Sequence, residues 1–312
     1  MIDISNKYQT LRIAVAEARL KLHPKTLQMV SEGRIPKGDP IQTARIAAIA
    51  SAKRTSELIP FCHPLSITYT GVEFILGDDS ITVQVTVKAI AATGVEMEAL
   101  TAASIAALTL YDMLKPVDKE LSIEGSQLLE KRGGKSEFHE SVGSQLRTAV
   151  VVMSDSVDSG KKSDTSGRLI EQRVRQEGLE LIDYKVLPDE ANQIVDWLIH
   201  LADDLKADLI LTTGGTGFSP RDTTPEAMQQ VIDREIPGIP EAIRSYGQQR
   251  TPYSMLSRAK AGLRGRTLIV NLPGSRKGVA ESLDMLFPAI LHAFPMIWGE
   301  SGWNKSSHQE PA

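Results

Sequence analysis

An apolar run leads directly into a glycine turn at Leu211-Thr212-Thr213-Gly214-Gly215-Thr216-Gly217. Five residues further on stands Asp222, within Ser219-Pro220-Arg221-Asp222-Thr223-Thr224-Pro225-Glu226. Glycines admit positive φ and let a ligand approach the backbone, so such a turn can aim several N–H groups at one phosphate. The same residues also suit an ordinary tight turn. A carboxylate beside a phosphate is unfavourable unless a cation lies between them, which makes Asp222 a candidate Mg²⁺ ligand. In the competing reading, Asp222, Thr223 or Thr224 caps a helix that begins at Pro225. The cluster is not a P-loop, because no G-x-x-x-x-G-K-[ST] spacing occurs and Gly134-Lys135-Ser136 lacks the upstream glycine.

The first half offers three further places. Phe61-Cys62-His63-Pro64-Leu65 puts a thiol beside an imidazole, Glu96 and Glu98 flank Met97, and Asp112 stands three residues before Lys115. Each has a plain structural alternative. Adjacent Cys and His lack metal-ligand spacing, acidic residues suit a helix N-terminus, and an i,i+3 Asp-Lys pair can be a solvated surface pair. If one helix carries both Glu98 and Asp112, their separation is roughly 21 Å on nearly one face. One small site in one copy cannot hold both, so two sites, or an oligomer joining the two ends, would be required.

The elements that must position these residues differ between the halves. In the first, 41–58 reads as an Ala-rich helix, 67–90 as a hairpin around Gly77-Asp78-Asp79, 96–115 as a second helix and 121–123 as a strand. This is an α+β pattern, helices on an antiparallel sheet. The segment 131–145 is rich in Gly, Ser and charge and marks a boundary between domains at 1–138 and 147–312. Beyond it, strands at 148–153, 179–187, 209–213 and 267–271 are interleaved with helices at 166–176 and 191–205, an α/β pattern with a mostly parallel sheet. Pro188-Asp189-Glu190, the glycine turn and Asn271-Leu272-Pro273-Gly274-Ser275 all follow strands. They should therefore open on the carboxyl edge, where such sheets bind ligands.

The 312 residues exceed the size at which one core usually keeps growing, which agrees with two domains. A formal net charge of −4 argues against a nucleic-acid-coating role, which needs a basic footprint. A single cysteine, Cys62, excludes an intramolecular disulfide and points to a reducing, cytoplasmic setting. Neither an export signal nor a membrane span is evident.

Two family resemblances follow from these strings. LTTGGTG, PRDTTPEA, LPDE and NLPGS together resemble the MoaB/MogA family of molybdopterin-handling proteins over roughly 147–292. The resemblance implies Mg-ATP-dependent adenylylation of molybdopterin. Asp189 and Asp222 would be the functional aspartates, and Gly214, Gly215, Thr216, Gly217, Pro273, Gly274 and Ser275 would contact the pterin and its phosphate. Ser154 and Asp155 are weaker candidates. The alternative is a pterin- or nucleotide-binding module without turnover. GRIPKGDPIQTARIAAIASAKRTSELIPFCHPL, TGVEMEALTAASIAALTLYDMLK and KRGGKS resemble the MoaC family, cyclic pyranopterin monophosphate synthases. This implies conversion of cyclised dihydro-GTP to cyclic pyranopterin monophosphate with release of pyrophosphate, at sites between protomers. Asp112, Lys37 and Lys115 would be catalytic, with Lys131, Lys135, Phe61, Cys62, His63, Met97 and Glu98 contacting substrate. No resident metal or organic cofactor is implied there. The expected partners are small nucleotide and pterin substrates and further copies of the chain, as a trimer or hexamer.

Overall fold

The computed structural model describes residues 1–134, 137 and 146–299, and the chain divides into two units, Met1–Phe138 and His139–Ala312. In the first, β1 (Thr10–Lys21) is followed by α1 (Pro24–Ser31), α2 (Pro40–Ala52) and α3 (Thr55–Leu58). Next come β2 (Tyr69–Leu76), β3 (Ser80–Ala91), α4 (Glu96–Leu114) and β4 (Ser122–Arg132). The sheet runs β2-β3-β1-β4 and every pairing is antiparallel. Strand alternation sends Ala14, Ala16, Ala18 and Leu20 of β1, and Val83, Val85 and Val87 of β3, to one buried face. Against that face lie Ala99, Ala102, Ala103, Ala106 and Ala107 of α4, with Ala44 and Ala48 of α2 beside them. Small side chains on both partners let helix and sheet approach closely. By length and composition alone α4 could span a membrane; here it packs on β1, β3 and α2.

The 41–58 helix is divided in two, α2 ending at Ala52 before the short α3. The strand expected at 121–123 extends through eleven residues to Arg132, so Lys131 belongs to the sheet and not to the linker. Two irregularities in its pairing with β1, at Val15/Ala16 and Arg19/Leu20, interrupt the register. Asp118 ties this unit together. Its buried carboxylate accepts hydrogen bonds from the backbone N–H of His23 (2.8 Å) and Glu120 (2.9 Å) and from Thr26 Oγ1 (2.9 Å).

The second unit contains β5 (Arg147–Met153), α5 (Asp155–Asp158), α6 (Ser166–Gln176), β6 (Glu180–Leu187), α7 (Ala191–Ile199) and β7 (Leu209–Thr213). They are followed by α8 (Thr224–Val231), β8 (Arg234–Glu235), α9 (Gly238–Gln248), β9 (Ala261–Arg264), β10 (Thr267–Leu272), α10 (Arg276–Leu286) and α11 (Ala293–Trp298). A π-helical turn, His200–Asp204, extends α7 over most of the length expected of it. Strand order is β6-β5-β7-β10-β9-β8; the first three pairings are parallel and the last two antiparallel. Val150, Leu211 and Val270 face a core with Ile170 and Leu283, while Val151, Ile210 and Ile269 face another with Ile194 and Met228. Both faces are thus covered, as an apolar parallel sheet requires.

Candidate functional site

In the second unit the loops after β5, β6, β7 and β10 open on one edge and touch one another. Gly214 has φ +106, and a Cβ there would fall 2.0 Å from the Met153 carbonyl oxygen. A Cβ on Gly274 would lie 3.4 Å from Gly214 Cα, and Thr213 Oγ1 donates to the Pro273 carbonyl at 2.6 Å. The glycine turn and the Pro273-Gly274-Ser275 loop are therefore in direct contact. Ser166 Oγ donates to the Gly274 carbonyl at 3.0 Å, and Ser275 caps α10 by accepting from Gly278 N at 3.1 Å. A cavity of about 280 Å³ next to this loop is lined by Pro273, Ser275, Lys277, Arg244 and Tyr253. A larger apolar cavity of about 680 Å³, lined by Ile236, Met285 and Met296 among others, shares no residue with these loops.

The two aspartates converge on the turn. A Cβ on Gly215 (φ +60) would sit 2.1 Å from Thr224 Oγ1 and 3.2 Å from Asp189 Oδ1, and one on Gly217 would sit 3.0 Å from Asp222 Oδ2. Asp189 exchanges backbone bonds with Asp155: Asp155 N donates to Asp189 Oδ2 (3.1 Å) and Asp189 N donates to Asp155 Oδ1 (3.0 Å). That leaves Asp189 Oδ1 buried without a hydrogen-bond partner, as are Thr224 Oγ1, Thr223 Oγ1 and Asn271 Oδ1. Burial raises the pKa of Asp189, and the charges of Asp155 and Asp222 add to the rise. Asp222 does not cap α8. It accepts from Ser219 N at 2.8 Å, and the helix starts after Thr223 without a side-chain cap.

Among the described residues no group of three or more His, Cys, Asp or Glu side chains forms a metal cage. The residues that could hold a cation are Asp189 and Asp222. Two carboxylates face the turn, one with an oxygen lacking a partner, and Mg²⁺ usually takes only one or two protein carboxylates alongside phosphates and water.

Two arginines outside the sequence-derived set hold these loops. Arg221 forks onto Asp155 (Nε 3.1 Å, Nη2 2.9 Å) and reaches Glu190 (2.7 Å). Arg258 Nε donates to the Gly217 carbonyl (2.7 Å), its Nη2 to the Asp222 carbonyl (2.5 Å), and its backbone N–H to Thr216 O (3.0 Å). Arg221 stands within the PRDTTPEA string, but the partners of both arginines lie 31 to 66 positions away, so local spacing could not show what either one holds.

In the first unit the candidates fall into two groups at opposite ends of α4. At its C-terminal end Asp112 lies between two ammonium groups, Lys115 Nζ at 2.7 Å and Lys37 Nζ at 2.8 Å, and Lys37 also donates to the Asp112 carbonyl at 2.8 Å. Lys37 comes from the loop before α2, so this is more than the local i,i+3 pair. Hydrogen bonds from Lys115 and Lys37 hold the Asp112 pKa down at about 2, and Asp112 raises that of Lys115.

At the N-terminal end Glu98 is 4% exposed, and burial raises its pKa, which is not the behaviour of a solvated helix-end residue. Burial, then the Glu98 charge, raises the Cys62 pKa. Glu96 is paired with Lys131. Burial opposes its ionisation, but Lys131 and Arg12 outweigh it and lower the pKa. Buried Arg12, absent from the sequence-derived set, donates from Nε to the Ala91 carbonyl at 3.1 Å. Phe61 is 76% exposed and Met97 is also exposed, while His63 is half-buried. Lys135 falls outside the described residues.

Residues 1–134 match the MoaC family, and residues 149–292 match a family described as "Probable molybdopterin binding domain". The fold and the two clusters thus define a protein with a MoaC unit followed by a molybdopterin-binding-type unit. A molybdenum cofactor biosynthesis bifunctional protein of Chlorobaculum tepidum is 41% identical over 303 residues, covering 96% of this chain and 95% of that one. The chain belongs to this family and acts in molybdenum cofactor biosynthesis. A cyclic pyranopterin monophosphate synthase of Thermomicrobium roseum is 51% identical over 138 residues, 44% of this chain and 83% of that one. A crystal structure of the molybdopterin biosynthesis enzyme MoaB from Thermus thermophilus matches at 43% identity, covering 50% of this chain and 98% of that one, with TM-score 0.48.

Proposed function

We propose that the first unit converts cyclised dihydro-GTP to cyclic pyranopterin monophosphate with release of pyrophosphate. The observation that carries this is the Lys37–Asp112–Lys115 cluster. Its two ammonium groups and one carboxylate leave a positive excess suited to a phosphate chain. In the free protein Asp112 is a carboxylate at neutral pH, so it can accept a proton or steer a lysine but cannot donate one. Buried Glu98, whose pKa is raised, is the better proton donor. Because the two belong to opposite ends of a rigid helix, a complete site takes Asp112 from one copy and Glu98 from another, which calls for a homo-oligomer. Incubating the chain with the cyclised intermediate should release pyrophosphate, and Asp112→Asn should slow the release at least about 100-fold while the protein stays folded.

The second unit is, in the same reading, a molybdopterin adenylyltransferase. Its support is the convergence of Asp189, Asp222 and partnerless Asp189 Oδ1 on the glycine turn. Asp189 and Asp222 would hold Mg²⁺ together with ATP, the ion supplying charge neutralisation at the phosphates. The turn's backbone and Ser275 would orient the acceptor phosphate, and the cavity beside Ser275 would hold the ring system. Mg-ATP and molybdopterin should be consumed together, and Asp222→Ala should stop turnover while molybdopterin binding survives. Binding without turnover in the wild type would make this unit a carrier module.

A further inference from the structure

We propose that Arg221 is a positioning residue for the metal-nucleotide site of the second unit, setting through Asp155 the direction in which Asp189 presents its free oxygen. The inference rests on the adenylyltransferase reading. Exposed ion pairs ordinarily contribute little and are screened by salt. Arg221 differs in geometry. Its fork engages both oxygens of Asp155, at 2.9 and 3.1 Å, and its remaining arm takes Glu190 at 2.7 Å. One side chain from the loop that carries Asp222 is thereby joined to the loops after β5 and β6.

The coupling passes on through Asp155, which is joined to Asp189 by two reciprocal bonds of 3.0 and 3.1 Å. One of these occupies Asp189 Oδ2, so Oδ1 alone remains, buried and without a partner, beside Gly215. Fully buried Thr224 turns an equally partnerless hydroxyl toward the same glycine. Without Arg221, Asp155 would lie uncompensated next to Asp189, its side chain held only by the bond from the Asp189 N–H. Such outer partners fix the orientation of metal-binding carboxylates, and their loss typically weakens metal affinity by about 10- to 100-fold.

The test uses the full chain, with Mn²⁺ and a non-hydrolysable ATP analogue, and follows the loss of the free Mn²⁺ paramagnetic resonance signal. Arg221→Ala should bind Mn²⁺ about tenfold more weakly than wild type. Arg221→Lys, which keeps the charge but not the fork, should fall between them. Glu190→Gln, which neutralises only the partner of the other arm, should stay within about twofold of wild type, as expected for an exposed pair. Melting curves establish that each variant folds, and if Arg221→Ala does not, Arg221→Lys alone must bind more weakly than wild type. Unchanged Mn²⁺ affinity in the Arg221 variants would overturn the inference and leave the adenylyltransferase reading standing. Glu190→Gln as damaging as Arg221→Ala would also overturn it, because the path would not then run through Asp155. Wild type failing to take up Mn²⁺ with the analogue would overturn the functional reading and this inference with it.

Discussion

At the scale of single residues, two aspartates have opposite acid-base behaviour, and each leads to a test. The Asp112 pKa is lowered to about 2, so its pairing with Lys37 and Lys115 is fully present above the ordinary carboxylate value and fades only as the pH falls toward 2. Asp112→Asn should therefore reduce pyrophosphate release at every pH where the protein is folded, by about 10²- to 10⁴-fold in kcat. The Asp189 pKa is raised, so the folded state holds that proton more tightly than the unfolded chain does. Its charge costs stability once the pH exceeds the folded-state pKa and costs nothing below the ordinary aspartate value. Asp189→Asn should melt higher than wild type at pH 7 without nucleotide, by about 2–4 °C, and the gap should close on acidification below pH ~4. An equal gap at both pH values would show that the charge is not the cause. Sequence reasoning found both aspartates, since each follows or ends an element. It missed Arg221 and Arg258, whose partners are fixed only by the folding of distant loops.

At the scale of elements, the apolar strands of the second unit were readable because β5, β7 and β10 are buried on both faces and made largely of Val, Ile, Leu and Thr. In the first unit β1 escaped notice and β4 was recognised only at its start. Thr10–Lys21 carries Ala at three positions and Arg at two, and Ser122–Arg132 is mostly polar and almost wholly exposed; both are strands because of what they pair with more than because of their own preference. Asp118 belongs at this scale, since three donors from the start of α1 and the turn before β4 meet on it. Asp118→Ala should destabilise the first unit by about 3 kcal/mol in urea unfolding. Burial opposes ionisation of Asp118, but the hydrogen bonds prevail and lower its pKa, so its contribution holds above the ordinary value and is lost as the pH falls. The glycine turn is equally intolerant. Gly214→Ala would drive a methyl into the Met153 carbonyl at a positive φ, with an expected cost of about 3 kcal/mol and loss of ligand binding by calorimetry.

For the whole molecule, the decisive arrangement is the placement of candidate groups at the two ends of α4. If a complete site joins ends from two copies, then Asp112→Asn and Glu98→Gln chains, each inactive alone, should regain activity when mixed and reassembled. Random pairing would restore about a quarter of wild-type activity. No recovery would mean that each copy works alone. The twofold division of the chain was legible in its length and in the Gly- and Ser-rich stretch before Gln145. The number of copies was not, because it depends on surfaces rather than on any periodicity. The same helix also acts as a gauge, with a consequence for how the protein can change. A substitution among its alanines disturbs packing at one spot. A single inserted residue would turn everything beyond it by about 100° and lengthen the helix by ~1.5 Å, swinging Asp112 away from Lys37 while Glu98 stayed in place. Even a seven-residue insertion, which nearly restores the angle, would push the two ends about 10 Å further apart. On the proposed roles of Asp112 and Glu98, the length of this element is constrained from both of its ends at once.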